Sequence, residues 1–172
     1  MNETITFRNP TIDDGAAIWK VVKDSGVLDL NSAYLYLLLS KDFAETCAVA
    51  EMNGEIVGFI TGYRPPGRES VIFVWQIGVD ASARGKGLGK RLVSYLLRSQ
   101  GARGASILET TISPSNDASR ALFRGIARDL GVPCEVRPCF AASQFPGTGH
   151  EDEELFRIGP YDLSQPNQLI EF

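Results

Sequence analysis

Residues Asp80-Ala81-Ser82-Ala83-Arg84-Gly85-Lys86-Gly87-Leu88-Gly89-Lys90-Arg91 set three glycines among four cations. Such a segment can bind an anion through its backbone. Glycines permit positive φ and a close approach of the chain to a ligand. Where a helix begins at the end of the turn, its first N–H groups are unpaired and carry the positive end of the helix dipole. With Arg84 and Lys86 adding formal charge, a phosphate or pyrophosphate is the ligand that fits. Spacing removes two familiar candidates. A Walker loop needs glycine where Arg84 stands and Ser or Thr where Arg91 stands, and a dinucleotide fingerprint needs one more residue than Gly85-x-Gly87-x-Gly89 supplies.

A second group of reactive types lies at His150-Glu151-Asp152-Glu153-Glu154, which holds the only histidine of the chain. Net charge is 17 − 21 = −4, against general nucleic-acid binding. Yet residues 80–103 carry Arg84, Lys86, Lys90, Arg91, Arg98 and Arg103 against Asp80 alone. A basic loop and a separate acidic run suit an anionic donor and a cationic acceptor. Cys47, Cys134 and Cys139 are odd in number and lack Cys-x-x-Cys spacing, which reads as reduced structural thiols in a cytoplasm. One histidine and scattered cysteines do not make a metal site, and no apolar run approaches the roughly 18–20 residues of a membrane span.

The elements that must position these groups follow from periodicity. The 172 residues, 44% hydrophobic and 22% charged, fit one domain over residues 1–160 with a surface tail over 161–172. Thr4–Arg8 reads as a strand, and Asn9-Pro10-Thr11 opens a helix to about Lys23. Ser25–Asn31 is a loop and Ser32–Phe43 a very apolar helix. Cys47–Glu51, Asn53-Gly54 and Ile56–Tyr63 form a hairpin signal. The near-continuous apolar run Val71–Val79 predicts a strand buried on both faces and feeding the glycine turn. Leu88–Ser99 is an amphipathic helix with Leu88, Leu92 and Leu96 inward. After a strand at Ala105–Ile112, Ser113–Asn116 caps a helix to Leu130, with Ala118, Leu122, Ile126 and Leu130 predicted inward and Arg120, Arg124 and Arg128 outward. Cys134–Phe140 and Leu155–Ile158 close the sheet.

Arg84, Gly87 and Gly89 fill the pattern Arg/Gln-x-x-Gly-x-Gly/Ala, and Asn116-Asp117-Ala118-Ser119-Arg120-Ala121-Leu122-Phe123 fills Asn-x-x-Ala/Ser-x-x-Leu-Tyr except at its last position. Both resemble the signatures of the GCN5-related N-acetyltransferases. The resemblance implies an α/β (α+β) fold: a central mixed, mostly antiparallel sheet flanked by helices. It implies acetyl-CoA as co-substrate and no metal, with Ile77, Gly78, Val79, Arg84, Gly85, Lys86, Gly87, Leu88, Gly89 and Lys90 at the cofactor, and Asn116, Ser119 and Phe123 beside its pantetheine arm. Asn116 also reads as a simple helix cap. Phe123 replaces the tyrosine that serves many members as general acid, so that role is absent or supplied elsewhere.

Three further segments, Val27–Leu38, Tyr63–Pro66 with Phe73–Gln76, and Phe145–Pro160, resemble the L-2,4-diaminobutyrate acetyltransferases of ectoine synthesis. That family implies acetyl transfer to the γ-amino group of diaminobutyrate in a cytoplasmic homodimer that binds neither nucleic acid nor membrane. It points to Asp29, Tyr34, Trp75, His150 and Glu153 at the acceptor, with Glu153 and His150 as alternative bases and Arg64 a weaker partner for the substrate carboxylate. Blander readings stand beside these: Asp29 as a cap, Tyr34 and Trp75 as packing, 151–154 as a solvated run. The rival functions are an acetyltransferase for another amine or a protein N-terminus, and a non-catalytic acetyl-CoA sensor.

Overall fold

The computed structural model describes residues 3–169. Its strands are β1 (Ile5–Arg8), β2 (Ala48–Met52), β3 (Glu55–Tyr63), β4 (Val71–Val79), β5 (Ile107–Ile112), β6 (Cys134–Phe140) and β7 (Glu153–Ile158). The helices are α1 (Gly15–Ser25), α2 (Ala33–Asp42), α3 (Leu88–Arg98) and α4 (Asp117–Leu130). The strands form a seven-stranded sheet in the order β1-β2-β3-β4-β5-β7-β6. β4 and β5 pair in parallel, whereas β1–β2, β2–β3, β5–β7 and β6–β7 are antiparallel. This is the mixed, mostly antiparallel sheet that the resemblance implies. The chain divides into two compact units, one comprising the residues up to Arg64 with Trp75–Arg103, the other Pro65–Val74 with Gly104–Leu169.

In the first unit the β2–β3 connection takes Asn53 and Gly54 at φ 54° and 81°, the two left-handed residues of a tight hairpin turn. Adjacent residues of a strand face opposite ways, and β3 shows both faces at work. Phe59 joins a core cluster with Ile18, Val21, Val22, Tyr36 and Val49 from α1, α2 and β2. At Gly58 a β-carbon would lie 3.0 Å from Leu88 Cδ2 and 3.4 Å from Leu92 Cδ1, so α3 packs closely on the other face. Helix entry at the N-terminus differs from expectation: Ile12–Asp14 is a turn of 3-10 helix before α1. Asp14 accepts from the Thr11 backbone N–H at 2.7 Å and from Arg8 at 2.7 and 2.9 Å.

In the second unit Phe156 and Ile158 of β7 are buried, and the Arg120 and Arg124 guanidinium groups lie 5.1 and 5.4 Å from the Phe156 ring centre. α4 therefore covers that face. Its buried residues are Phe123, Gly125, Ile126 and Ala127, whereas Ala118 is exposed and Leu122 half-buried. Of the predicted inward row, Ile126 is buried, Leu122 and Leu130 are half-buried and only Ala118 is exposed, because a row of every fourth residue drifts by about 40° per step around a 3.6-residue helix. Arg120, predicted outward, is half-buried and donates to Glu154 at 2.8 Å. The segment after Pro160 also departs from a surface tail: Tyr161 and Leu169 are buried, with backbone bonds to Ser106 and from Gln168 to Asp129. Residues 170–172 of that expected tail lie outside the described residues.

Candidate active site

The glycine turn is built almost wholly by backbone. Asp80 closes the end of β4 by accepting from Ser82 N at 2.9 Å, and Ala81–Ala83 makes one 3-10 turn. Gly85 and Gly87 then adopt φ 78° and 66°, with nothing within 4 Å of a β-carbon at either. The left-handed backbone, rather than crowding, demands glycine there. Gly87 is the N-cap of α3 and supplies no side-chain cap. The leading N–H groups of α3, at Leu88, Gly89 and Lys90, are the orphan donors of a helix start. Left-handed glycines followed by an uncapped N-terminus form a concave set of donors suited to phosphate oxygens.

Not every cation of this region serves the turn. The Lys86 ammonium is hydrogen-bonded to Glu3 and lies 3.7 Å from Met52 Sδ. Arg91 sits 4.9 Å over the Phe7 ring, which stacks on Tyr95. Arg84 is exposed.

Of the acceptor candidates in the same unit, Trp75 lies on β4 and Asp29 is tied to it through its backbone. Asp29 is exposed in the loop between α1 and α2. Its backbone carbonyl accepts from Gln76 Nε2 and from Asn31 Nδ2, each at 3.0 Å. Leu28 lies against Gly78, where a β-carbon would be 3.1 Å from Leu28 Cδ1 and 2.4 Å from a Phe59 ring carbon. The missing side chain of Gly78 thus lets the Asp29 loop lie on the strand next to Ile77 and Val79, which are half-buried. Trp19 Nε1 ties the far end of the loop by donating to Asn31 O at 3.0 Å.

Trp75 packs in the core and also faces a cavity. It stacks on Tyr36, with ring centres 6.3 Å apart at 22°, and it also lines a cavity of about 270 Å³ with Leu35, Leu39, Thr61, Gly62 and Tyr63. Tyr34 is not packing; it is 67% exposed on the first turn of α2. Its backbone N–H is bonded to the Ser32 N-cap. Arg64 is directed elsewhere, donating to the Gly101 and Arg103 carbonyls at 3.2 and 2.8 Å.

Sequence reasoning passed over Tyr36 and Gln76. Tyr36 is fully buried and its hydroxyl donates to Gln76 Oε1 at 2.9 Å. Burial pushes the phenol up, and hydrogen bonds to Asn31 and Gln76 offset part of that, so the hydroxyl keeps its proton and remains a donor. The signal was a glutamine inside an otherwise apolar strand.

In the second unit, Asn116 Oδ1 caps α4 by accepting from Ser119 N at 3.1 Å. Contact with a ligand would use its Nδ2, so both readings of Asn116 are compatible. Phe123 is 3% exposed and belongs to the core. His150 stacks face to face on Phe145 at 3.6 Å, and its Nδ1 lies 2.7 Å from Glu151 O. A carbonyl can only accept, so Nδ1 carries the proton and the neutral ring has Nε2 as its basic nitrogen.

The acidic run is exposed at Glu151 and Asp152 and half-buried at Glu153 and Glu154, and it is tied to its surroundings. Glu151 takes the Ser115 backbone N–H at 3.2 Å and the Ser115 hydroxyl. Asp152 accepts from Ala142 N at 2.7 Å, and Glu154 pairs with Arg120. Glu153 opens β7 opposite Phe140 of β6, its side chain on the other face of the strand from Glu154. A further carboxylate, Glu109 of β5, is only 1% exposed; it binds Arg68 at 2.6 and 3.2 Å and Arg157 at 3.1 Å.

None of the three thiols is poised as a nucleophile. Burial pushes Cys47 up to about 11, and it also raises Cys134 and Cys139. Among the described residues no cluster of three His, Cys, Asp or Glu could hold a metal ion, and no helix is long and apolar enough to cross a membrane.

Residues 17–126 match the pattern of the Acetyltransferase (GNAT) family. Over 160 residues the chain is 49% identical to an L-2,4-diaminobutyric acid acetyltransferase from Halalkalibacterium halodurans, covering 93% of this chain and 84% of that one. A protein of the same name from Marinococcus halophilus is 48% identical over 92% of each chain. Among solved structures, diaminobutyrate acetyltransferase EctA from Paenibacillus lautus, in complex with L-2,4-diaminobutyric acid and coenzyme A, is 44% identical. That match has a TM-score of 0.89 and covers 92% of this chain and 96% of the other. The parallel β4–β5 pair, the glycine turn at the head of α3 and these similarities lead to one assignment: the chain belongs to the acetyltransferase (GNAT) family, among its diaminobutyrate acetyltransferases.

Proposed function

We propose that the chain transfers the acetyl group of acetyl-CoA to the γ-amino group of L-2,4-diaminobutyrate, giving N4-acetyl-L-2,4-diaminobutyrate for ectoine synthesis. One observation carries this reading. A single strand, β4, leads at its end into an anion-binding backbone turn, and three residues earlier it is bonded through Gln76 to the loop of the acidic residue Asp29. The anionic donor and the ammonium-bearing acceptor are thereby referenced to the same strand. The names and 44–49% identities of the relatives supply the acceptor's identity.

In this mechanism the turn Arg84–Lys90 holds the donor's pyrophosphate. Backbone N–H groups of Ile77–Val79 receive negative charge developing on the thioester oxygen. Asp29 holds an ammonium of the acceptor, and Trp75 and Tyr34 wall its aliphatic part. The attacking amine must lose a proton, at a cost of about 4–5 kcal/mol at pH 7 for a lysine-like pKa of ~10.4. Glu153 or His150 Nε2 accepts that proton. Nitrogen then attacks the carbonyl carbon, the C–S bond breaks, and coenzyme A leaves as a thiolate, which takes up the second proton shed by the nitrogen. A thiol pKa near 8.5 makes that departure feasible without an acid, in keeping with phenylalanine at position 123. Transfer is direct, in a ternary complex; the raised thiol pKa values argue against an acyl-cysteine. The enzyme works as a cytoplasmic homodimer.

Incubation with acetyl-CoA and a panel of amines, following thiol release and assigning the product by NMR, tests the reaction. Release with diaminobutyrate and acetylation at the γ-nitrogen are expected. Preference for a peptide N-terminus, or tight acetyl-CoA binding with no release, would replace the reading with one of its rivals. Glu153→Gln should lower turnover by about 100-fold or more with little change in KM for acetyl-CoA; an unchanged rate gives the base to His150. Sedimentation equilibrium at a single protomer mass would remove the dimer.

A further inference from the structure

Gln76 is a buried amide with both ends committed. It is 6% exposed, one residue beyond Trp75 and one before Ile77. Its Oε1 accepts from the Tyr36 hydroxyl at 2.9 Å and its Nε2 donates to the Asp29 carbonyl at 3.0 Å. An isolated buried amide costs free energy unless its groups are paired, and here the pairing fixes the amide's orientation. The Tyr36 ring that supplies the hydroxyl is itself clamped, stacked on Trp75 and edge-on to Phe59 at 6.4 Å. One side chain therefore links β4, α2 and the Asp29 loop through donors and acceptors that are not interchangeable.

We propose that Gln76, oriented by Tyr36, is a positioning residue for the acceptor: it fixes the Asp29 loop so that the Asp29 carboxylate meets the substrate ammonium in register with the reacting strand. The inference rests on the assignment of Asp29 to the acceptor made above. Gln76 touches neither substrate in this account and acts through the loop. A misplacement of about 1 Å in a substrate-holding group can cost 100-fold in rate, so loss of the strut should register in acceptor kinetics before it registers in donor binding.

A double-mutant cycle in the full-length protein tests this. Gln76→Ala should lower kcat/KM for diaminobutyrate by roughly 10- to 100-fold, chiefly through KM, while KM for acetyl-CoA moves by no more than about twofold. Asp29→Ala keeps the backbone carbonyl that Gln76 holds but removes the carboxylate being positioned. In that background Gln76→Ala should cost less than about twofold more, because coupled residues are non-additive. An equal loss from Gln76→Ala in both backgrounds would overturn the inference, as would parallel rises in both KM values. If Asp29→Ala alone leaves acceptor KM unchanged, the reading of Asp29 fails first and takes the inference with it, a result distinct from additivity. Should Gln76→Ala not fold, Tyr36→Phe keeps the ring stack and removes only the hydroxyl. It should show the same coupling to Asp29 with a smaller loss, roughly three- to tenfold, and full additivity there would equally refute the strut.

Discussion

The donor turn and the acceptor corner share a strand but are made of different material. Asp80–Lys90 is contiguous, exposed from Arg84 to Gly87 and built from backbone: two left-handed glycines and a helix start. The corner around Asp29 draws on α1, α2, the loop between them and β4, and it is held by the buried side chains of Tyr36 and Gln76 and the half-buried Trp19. A backbone site tolerates change in every side chain that does not alter φ or block the ligand. A side-chain network fails when one member is deleted, since the remaining partner is left buried and unpaired. The donor site can therefore be carried unchanged across many acceptors, while the corner is specific to its own.

That contrast is best tested where a buried network is most demanding. Glu109, with Arg68 and Arg157, is the extreme case, and Glu109→Ala should destabilise the fold by about 2–3 kcal/mol through loss of its charge-assisted hydrogen bonds, the two part-exposed guanidinium groups turning to water. Chemical denaturation measures it; a loss under about 1 kcal/mol would mean that side-chain networks here are as forgiving as the turn.

At the turn, a side chain that changes φ should matter and one that does not should not. Gly87→Val forces a β-branched residue to φ 66°, costing about 1–2 kcal/mol locally. KM for acetyl-CoA should rise about tenfold with KM for diaminobutyrate unchanged, whereas Lys86→Met, which removes a cation already held by Glu3, should be nearly silent. The reverse ranking would make the site one of charges rather than backbone.

The smallest expected effect concerns a polar cluster remote from the chemistry. The Arg8 guanidinium holds the Asp14 carboxyl below the ordinary carboxylate range. A depressed acid stabilises the fold above its unfolded pKa of about 3.9 and loses that contribution as pH falls through the lower folded value. Arg8→Leu should thus cost about 1 kcal/mol near pH 7, after allowance for solvent screening, and almost nothing at the acid end. Unfolding curves at several pH values would detect the difference; a loss independent of pH would exclude this pair as its source.

The same contrast explains what could be read in the sequence. β4 and the Asn53-Gly54 hairpin were legible because a continuous apolar run and left-handed turn chemistry are local. The glycine turn was legible for the same reason. Gln76 was not, since its role arises only when Tyr36 and Asp29, 40 and 47 positions away, are folded onto it. Glu109 hid in the same manner, its partners Arg68 and Arg157 lying 41 and 48 positions distant. Trp75 could not be placed from sequence because one indole both stacks on Tyr36 and lines a cavity. In α4 the burial face was misjudged because Phe123, read for its chemistry, was not counted as core.

The acidic run of the second unit has a consequence for ionic strength. The screening length of water falls from about 8 Å at physiological salt to about 3 Å at 1 M. The ties that Glu151, Asp152 and Glu154 make to Ser115, Ala142 and Arg120 include hydrogen bonds of 3.2, 2.7 and 2.8 Å. Contacts this short, the Arg120–Glu154 pair being part-buried, are weakened by electrolyte less than interactions across many screening lengths. The long-range attraction between the basic turn and an approaching polyanion spans many such lengths and fades as salt rises. Molar salt should therefore slow the arrival of acetyl-CoA well before it disturbs the segment around the candidate base.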